Sequence, residues 1–80
     1  MTLEILTFGI ARDIIGSSVL KIEMAEGASV DDLKRKILGL YPRFIALSSL
    51  MIAVNAEYGN ETTVLQEGDE IALIPPVSGG

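Results

Sequence analysis

Ser29-Val30-Asp31-Asp32-Leu33-Lys34-Arg35-Lys36-Ile37-Leu38-Gly39-Leu40-Tyr41-Pro42 carries the clearest helical periodicity in this 80-residue chain. Ser29 offers a side-chain oxygen for the N-cap, and Asp31 and Asp32 stand in the first turn, where the helix dipole favours acids. Val30, Leu33, Ile37 and Leu40 fall on one apolar stripe. On the opposite side Asp31 with Arg35 and Asp32 with Lys36 are i,i+4 pairs, worth roughly 0.3 kcal/mol each. Pro42 disfavours helical backbone at Tyr41 and ends the element. One amphipathic helix needs an apolar surface to cover, and the flanking segments supply it.

Upstream, Leu3–Phe8 reads as a strand with apolar residues on both faces: Leu3 and Ile5 on one, Leu6 and Phe8 with Glu4 on the other. That pattern predicts a central or doubly covered strand. Gly9–Gly16 has Ile10, Ala11, Ile14 and Ile15 spaced for one or two helical turns closed by Gly16. Val19–Met24 alternates, with Leu20, Ile22 and Met24 inward and Lys21 and Glu23 outward, and predicts an antiparallel partner for the first strand. Downstream, 43–49 is irregular with a helical turn around Ala46, and Met51–Val54 is a short strand. Asn55–Asn60 is rich in turn residues, Thr62–Val64 is a brief extended piece, Gln66–Glu70 is a turn, and Ile71–Ile74 is the last strand. The order predicts an α+β fold: a mixed sheet with one principal helix packed across it, over residues 1–74. A right-handed crossover places the first and last strands side by side and parallel. Residues 75–80 form a separate extended tail.

Composition removes most chemistries. The chain has no cysteine and no histidine, which excludes disulfides, thiolate nucleophiles, the usual zinc sites and the commonest general base. Six basic against eleven acidic residues give a net charge of −5. Without a basic patch or interleaved aromatics, no nucleic-acid partner is expected. On net charge alone, a charged partner surface should be basic. No apolar run approaches the roughly 20 residues that cross a bilayer, and no basic segment precedes an apolar stretch at the N-terminus. A cytoplasmic domain without a membrane partner is the expectation. A mean hydropathy of +0.44 is high for so small a chain and leaves apolar surface available for a protein partner.

The candidate chemical groups fall away one by one. Glu67, Asp69 and Glu70 lack the ligand spacing of a calcium loop and read as a turn before a strand. Ser17, Ser18, Ser48 and Ser49 have no histidine to activate them, and Gly9 with Gly16 makes no phosphate loop. What remains is the end of the chain, Pro75-Pro76-Val77-Ser78-Gly79-Gly80. Glycine has no Cβ, so Gly79 and Gly80 form a tip slim enough for a tunnel in another protein. Two prolines hold the exit extended and lower the entropy lost on insertion. A carboxylate is inert at neutral pH, so its use requires activation by a separate enzyme, and the receiving protein supplies the catalytic groups.

Gly68-Asp69-Glu70-Ile71-Ala72-Leu73-Ile74-Pro75-Pro76-Val77-Ser78-Gly79-Gly80 resembles the ending of the sulfur-carrier (small) subunits of molybdopterin synthase, a ubiquitin-like β-grasp family. Phe8–Gly16, Ala53-Val54-Asn55 and the serine-capped helix from Ser29 are similar to the same family, so the resemblance runs over essentially the whole chain. It implies that Gly80 is adenylated by an E1-like, ATP-using enzyme and becomes a thiocarboxylate, a covalent 1-thioglycine. It implies insertion of Pro75, Pro76, Val77, Ser78, Gly79 and Gly80 into the large catalytic subunit, within a heterotetramer. Sulfur then passes to cyclic pyranopterin monophosphate in molybdenum cofactor biosynthesis. The chain itself would be a non-catalytic carrier, with no metal and no bound cofactor. Phe8 and Ile74, neighbours if the outer strands of the sequence pair, are the expected partner contacts, with Met51 a weaker third; ordinary core is the competing reading for Phe8. Thr7 and Ile74 stand where the family commonly has aromatics. Two other readings share the activated acyl group: a thiamine-type sulfur carrier, against which the Pro-Pro and the chain length argue, and a ubiquitin-like protein modifier.

Overall fold

A computed structural model of the chain describes residues 1–46 and 50–75. The elements are β1 (Thr2–Thr7), α1 (Gly9–Ile15), β2 (Val19–Glu23), α2 (Val30–Leu40), a 3-10 helix (Pro42–Ala46), β3 (Met51–Val54), β4 (Glu57–Tyr58) and β5 (Ile71–Ile74). The sheet runs β2-β1-β5-β3-β4. β1 pairs antiparallel with β2 and parallel with β5, and β3 pairs antiparallel with both β5 and β4. The expected parallel pairing of first and last strands thus forms the centre of the sheet.

Strand alternation sorts the side chains. Leu3 and Ile5 of β1, Ile22 of β2, Ile52 of β3, and Ile71 and Leu73 of β5 are buried on one face. α2 lays Val30, Leu33 and Ile37 against them, and Ala11, Phe44, Leu50 and Leu65 close the core. α2 begins with the full reciprocal cap. The Asp32 N–H donates to Ser29 Oγ at 3.2 Å, and the Ser29 N–H donates to Asp32 Oδ2 at 2.9 Å. α1 ends at Gly16, whose φ of +84° lets its N–H turn back to the Arg12 carbonyl at 2.7 Å.

Four expectations need correction. Leu40 does not complete the buried stripe; it is 53% exposed, because the core side of α2 is already filled at Ile37 and the chain turns away at Tyr41. Asp32 makes no ion pair with Lys36, since its carboxylate is committed to the cap. The Asp31–Arg35 pair does form, at 2.9 Å. β1 is an interior strand of the sheet, as expected, with the face away from α2 left partly open: Leu6 is half-buried and Phe8 is 53% exposed. The turn-rich 55–60 segment contains a two-residue strand, β4, while Thr62–Val64 contributes only one bridge, Val64 to Ser29. The hairpin between β3 and β4 has positive φ at Asn55 (+52°) and Ala56 (+69°), the handedness that matches strand twist. Asn tolerates this conformation; alanine adopts it at a cost.

Candidate partner surface at the base of the tail

The described residues hold no catalytic constellation. No three acidic side chains among them group to hold a metal ion. Two of the three carboxylates at Glu67–Glu70 are used within the fold, as a turn requires. Asp69 accepts from the Gln66 N–H at 2.8 Å and from Asn55 Nδ2 at 3.1 Å, while Glu67 Oε1 accepts from the Thr2 N–H at 3.1 Å. A polar surface hollow of about 350 Å³ beside them is lined by Asn55, Glu57, Tyr58 and Gln66, with no aligned acid–base pair.

The face of the sheet opposite α2 is different. Register places Val19, Leu6, Ala72, Ala53 and Tyr58 in one row across all five strands. The next row toward the tail has Met51 directly opposite Ile74. Thr7 pairs with Leu73, so Phe8, extended at φ −134° and ψ 155°, lies one step on and level with Ile74. The three expected contact residues are therefore brought together. Phe8 (53% exposed) and Met51 (45% exposed) are not core, and Ile74 is half-buried between them. A hollow of about 270 Å³ opens beside Ile74 over Ala53, Ala56 and Ala72, walled by Tyr58. Tyr58, 64% exposed, escaped the sequence reading because β4 is too short to show alternation. At the other end of the same face the surface turns polar, where Glu4 pairs with Lys21 at 3.7 Å.

The apolar half of this face lies at the root of the tail. β5 ends at Ile74, and Pro75 packs over the start of α1, its Cγ 3.9 Å from where a Cβ on Gly9 would sit. Gly9 has φ +54°, so a side chain there would be strained whatever the space. Burying Thr7 keeps this corner in place: its hydroxyl donates to the Ser17 carbonyl, and its N–H donates to the Ser18 carbonyl at 3.0 Å. Pro76, Val77, Ser78, Gly79 and Gly80, singled out from the sequence, lie outside the described residues.

Comparison with known proteins places this architecture. The ThiS family model matches residues 5–80. The chain is 36% identical to the molybdopterin synthase sulfur carrier subunit of Chlamydomonas reinhardtii, covering 100% of both chains. To the Homo sapiens subunit of the same name it is 35% identical, covering 96% of this chain and 92% of the human one. Among solved structures, a putative molybdopterin converting factor subunit 1 from Pyrococcus furiosus superposes with a TM-score of 0.86 at 28% identity, covering 96% of this chain and 99% of that one. SAMP1 from Haloferax volcanii gives 0.83 at 25% identity over the whole of both chains. The complex of molybdopterin-converting factor subunits 1 and 2 from Helicobacter pylori gives 0.67 at 28% identity, again over the whole of both. The fold is the ubiquitin-like β-grasp, and the chain belongs to the ThiS family, similar over its full length to the sulfur carrier subunits of molybdopterin synthase.

Proposed function

We propose that this chain carries sulfur on its C-terminus for molybdopterin synthase and is itself the non-catalytic subunit of that enzyme. One Gly80 carboxylate oxygen attacks the α-phosphorus of ATP in an activating enzyme, and pyrophosphate leaves. Sulfur at the sulfide level then displaces AMP from the acyl carbon, which leaves a thiocarboxylate. Inside the large subunit that sulfur passes to cyclic pyranopterin monophosphate, and water restores the carboxylate. The protein acts in the cytoplasm, needs no metal, and takes ATP only through the activating enzyme.

The observation that carries this reading is the full-length likeness to named sulfur carrier subunits, together with an exposed apolar face beside Ile74 and Pro75, from which the tail starts. Phe8, Ile74 and Met51, joined by Tyr58, form the contact with the large subunit. Support for such a partner comes from the Helicobacter pylori relative, solved as a complex of subunits 1 and 2. A thiazole-pathway carrier is the weaker reading, since the named relatives that match end to end are molybdopterin synthase subunits. Likeness to SAMP1, a small archaeal modifier protein, favours protein conjugation as a second use of the same activated acyl group. Reconstitution with large subunit, activating enzyme, ATP and a sulfur source tests the main reading: full-length chain should support molybdopterin formation and chain lacking Gly80 should not. Higher-mass conjugates that survive reducing denaturation would mark the second use.

A further inference from the structure

The charges of this acidic chain are sorted along the strands of the sheet, with the root of the tail at one end. Six of the eleven acidic residues stand at the far end of the sheet. Glu23 pairs with Thr2 at the start of β1, Glu26 follows β2, Glu57 pairs with Val54 at the end of β3, and Glu67, Asp69 and Glu70 make the turn into β5. On the α1 side of the tail end the balance reverses, whereas Asp31 and Glu61 stand beside Leu50 and Met51 on the β3 side. α1 carries exposed Arg12, three residues after the Gly9 on which Pro75 rests. The 3-10 helix that packs against α1 carries exposed Arg43, and exposed Lys36 lies one turn before the end of α2. Among the described residues none of these three makes an ion pair, whereas Lys21 and Arg35 do. Asp13 is the one acid on α1. Exposed Ile10 and Ile45 stand among these cations.

The six residues of β1 separate the two ends by roughly 17 Å, about two Debye lengths at physiological salt. A partner arriving at the tail therefore meets the positive end, not the net charge of −5. This reverses the basic partner surface expected from composition. The five residues beyond Pro75 reach at most about 17 Å, so the cations at the root of the tail face the rim of whatever tunnel receives it rather than the substrate at its end. Lasting complexes rely on apolar contact, and short encounters on complementary charge and fast association. The apolar sheet face suits the former. That face is already assigned to the large subunit, which leaves the cationic collar for the enzyme that activates the tail.

We infer that Arg12, Lys36 and Arg43 dock this chain on the activating enzyme, against a tunnel rim rich in Asp and Glu. This rests on the carrier reading above. The test is ATP–pyrophosphate exchange driven by the full chain and its activating enzyme, across a series of salt concentrations. The double variant Arg12→Glu, Arg43→Glu should lower kcat/KM about tenfold at low ionic strength through KM, with kcat unchanged and the gap closing as salt rises. Arg12→Lys, Arg43→Lys should restore it within about twofold, as should the far-end change Glu26→Lys, Glu70→Lys made on the native chain. Binding of the large subunit, which rests on the apolar sheet face, should fall by less than activation does. A Glu double variant activated as well as native at low salt, or one whose defect persists at high salt, overturns the collar alone. Native chain that drives no exchange at all overturns the carrier reading with it.

Discussion

Met51 stands directly opposite Ile74 across the antiparallel β3–β5 ladder, on the face of the sheet that α2 leaves open. The pair ties the root of the tail to the exposed apolar surface, because Ile74 is followed at once by Pro75. On the proposed reading, the large subunit contacts Met51, Ile74 and Phe8 as it accepts the tail. Met51→Lys and Phe8→Lys should weaken binding of the large subunit by roughly 1–3 kcal/mol each, while circular dichroism and melting temperature stay near native. Isothermal titration checks this; native affinity in both variants would remove these residues from the interface.

The α2 cap makes a pH prediction. Asp32 is held below its ordinary 3.8, first by the backbone hydrogen bond from Ser29, then by the Ser29 hydroxyl, with Arg35 adding a smaller pull. A carboxyl whose folded pKa is depressed adds stability above its unfolded value and loses it as pH falls through the folded one. Urea midpoints should therefore drop as pH is lowered below 3.8, and Asp32→Asn should flatten that part of the profile. Ser29→Ala should cost about 1 kcal/mol at neutral pH.

The β3–β4 hairpin separates two small residues by their surroundings. Ala56 holds φ +69° in open solvent, so Ala56→Gly should raise stability by about 0.5–1 kcal/mol. Gly59 has an ordinary φ but no room: an added Cβ would sit 3.0 Å from Val30 Cγ2 and 3.3 Å from Val54 Cγ2. Both neighbours are stiff at χ1, so Gly59→Ala should cost roughly 1–3 kcal/mol. Opposite signs in urea denaturation would confirm the pairing of these two effects.

Local signals made most of the fold legible. Ser29 and Pro42 mark the ends of α2, Gly16 closes α1, and β2, β3 and β5 each carry enough alternation or apolar run to be placed. Elsewhere a tertiary neighbour decided the outcome. Leu40 follows the helical stripe but lies beyond the reach of the sheet, and Asp32 chose the cap over Lys36. Tyr58 and Ala53 share a row only because two residues of β4 pair with β3, a register no window of sequence reports. The polarity of the molecule was hidden for the same reason: Glu23, Glu57 and Glu70 are far apart in sequence and share one end only in the folded sheet.

The claim that this domain acts through its final acyl group is tested most directly by intact and peptide mass spectrometry after incubation with activating enzyme, ATP and a sulfur source. One oxygen should be replaced by sulfur, only in the C-terminal peptide ending at Gly80, and not when Gly80 is deleted or amidated. An unchanged C-terminal peptide in chain that nonetheless supports molybdopterin formation, or an amidated chain that supports it at the native rate, would contradict it.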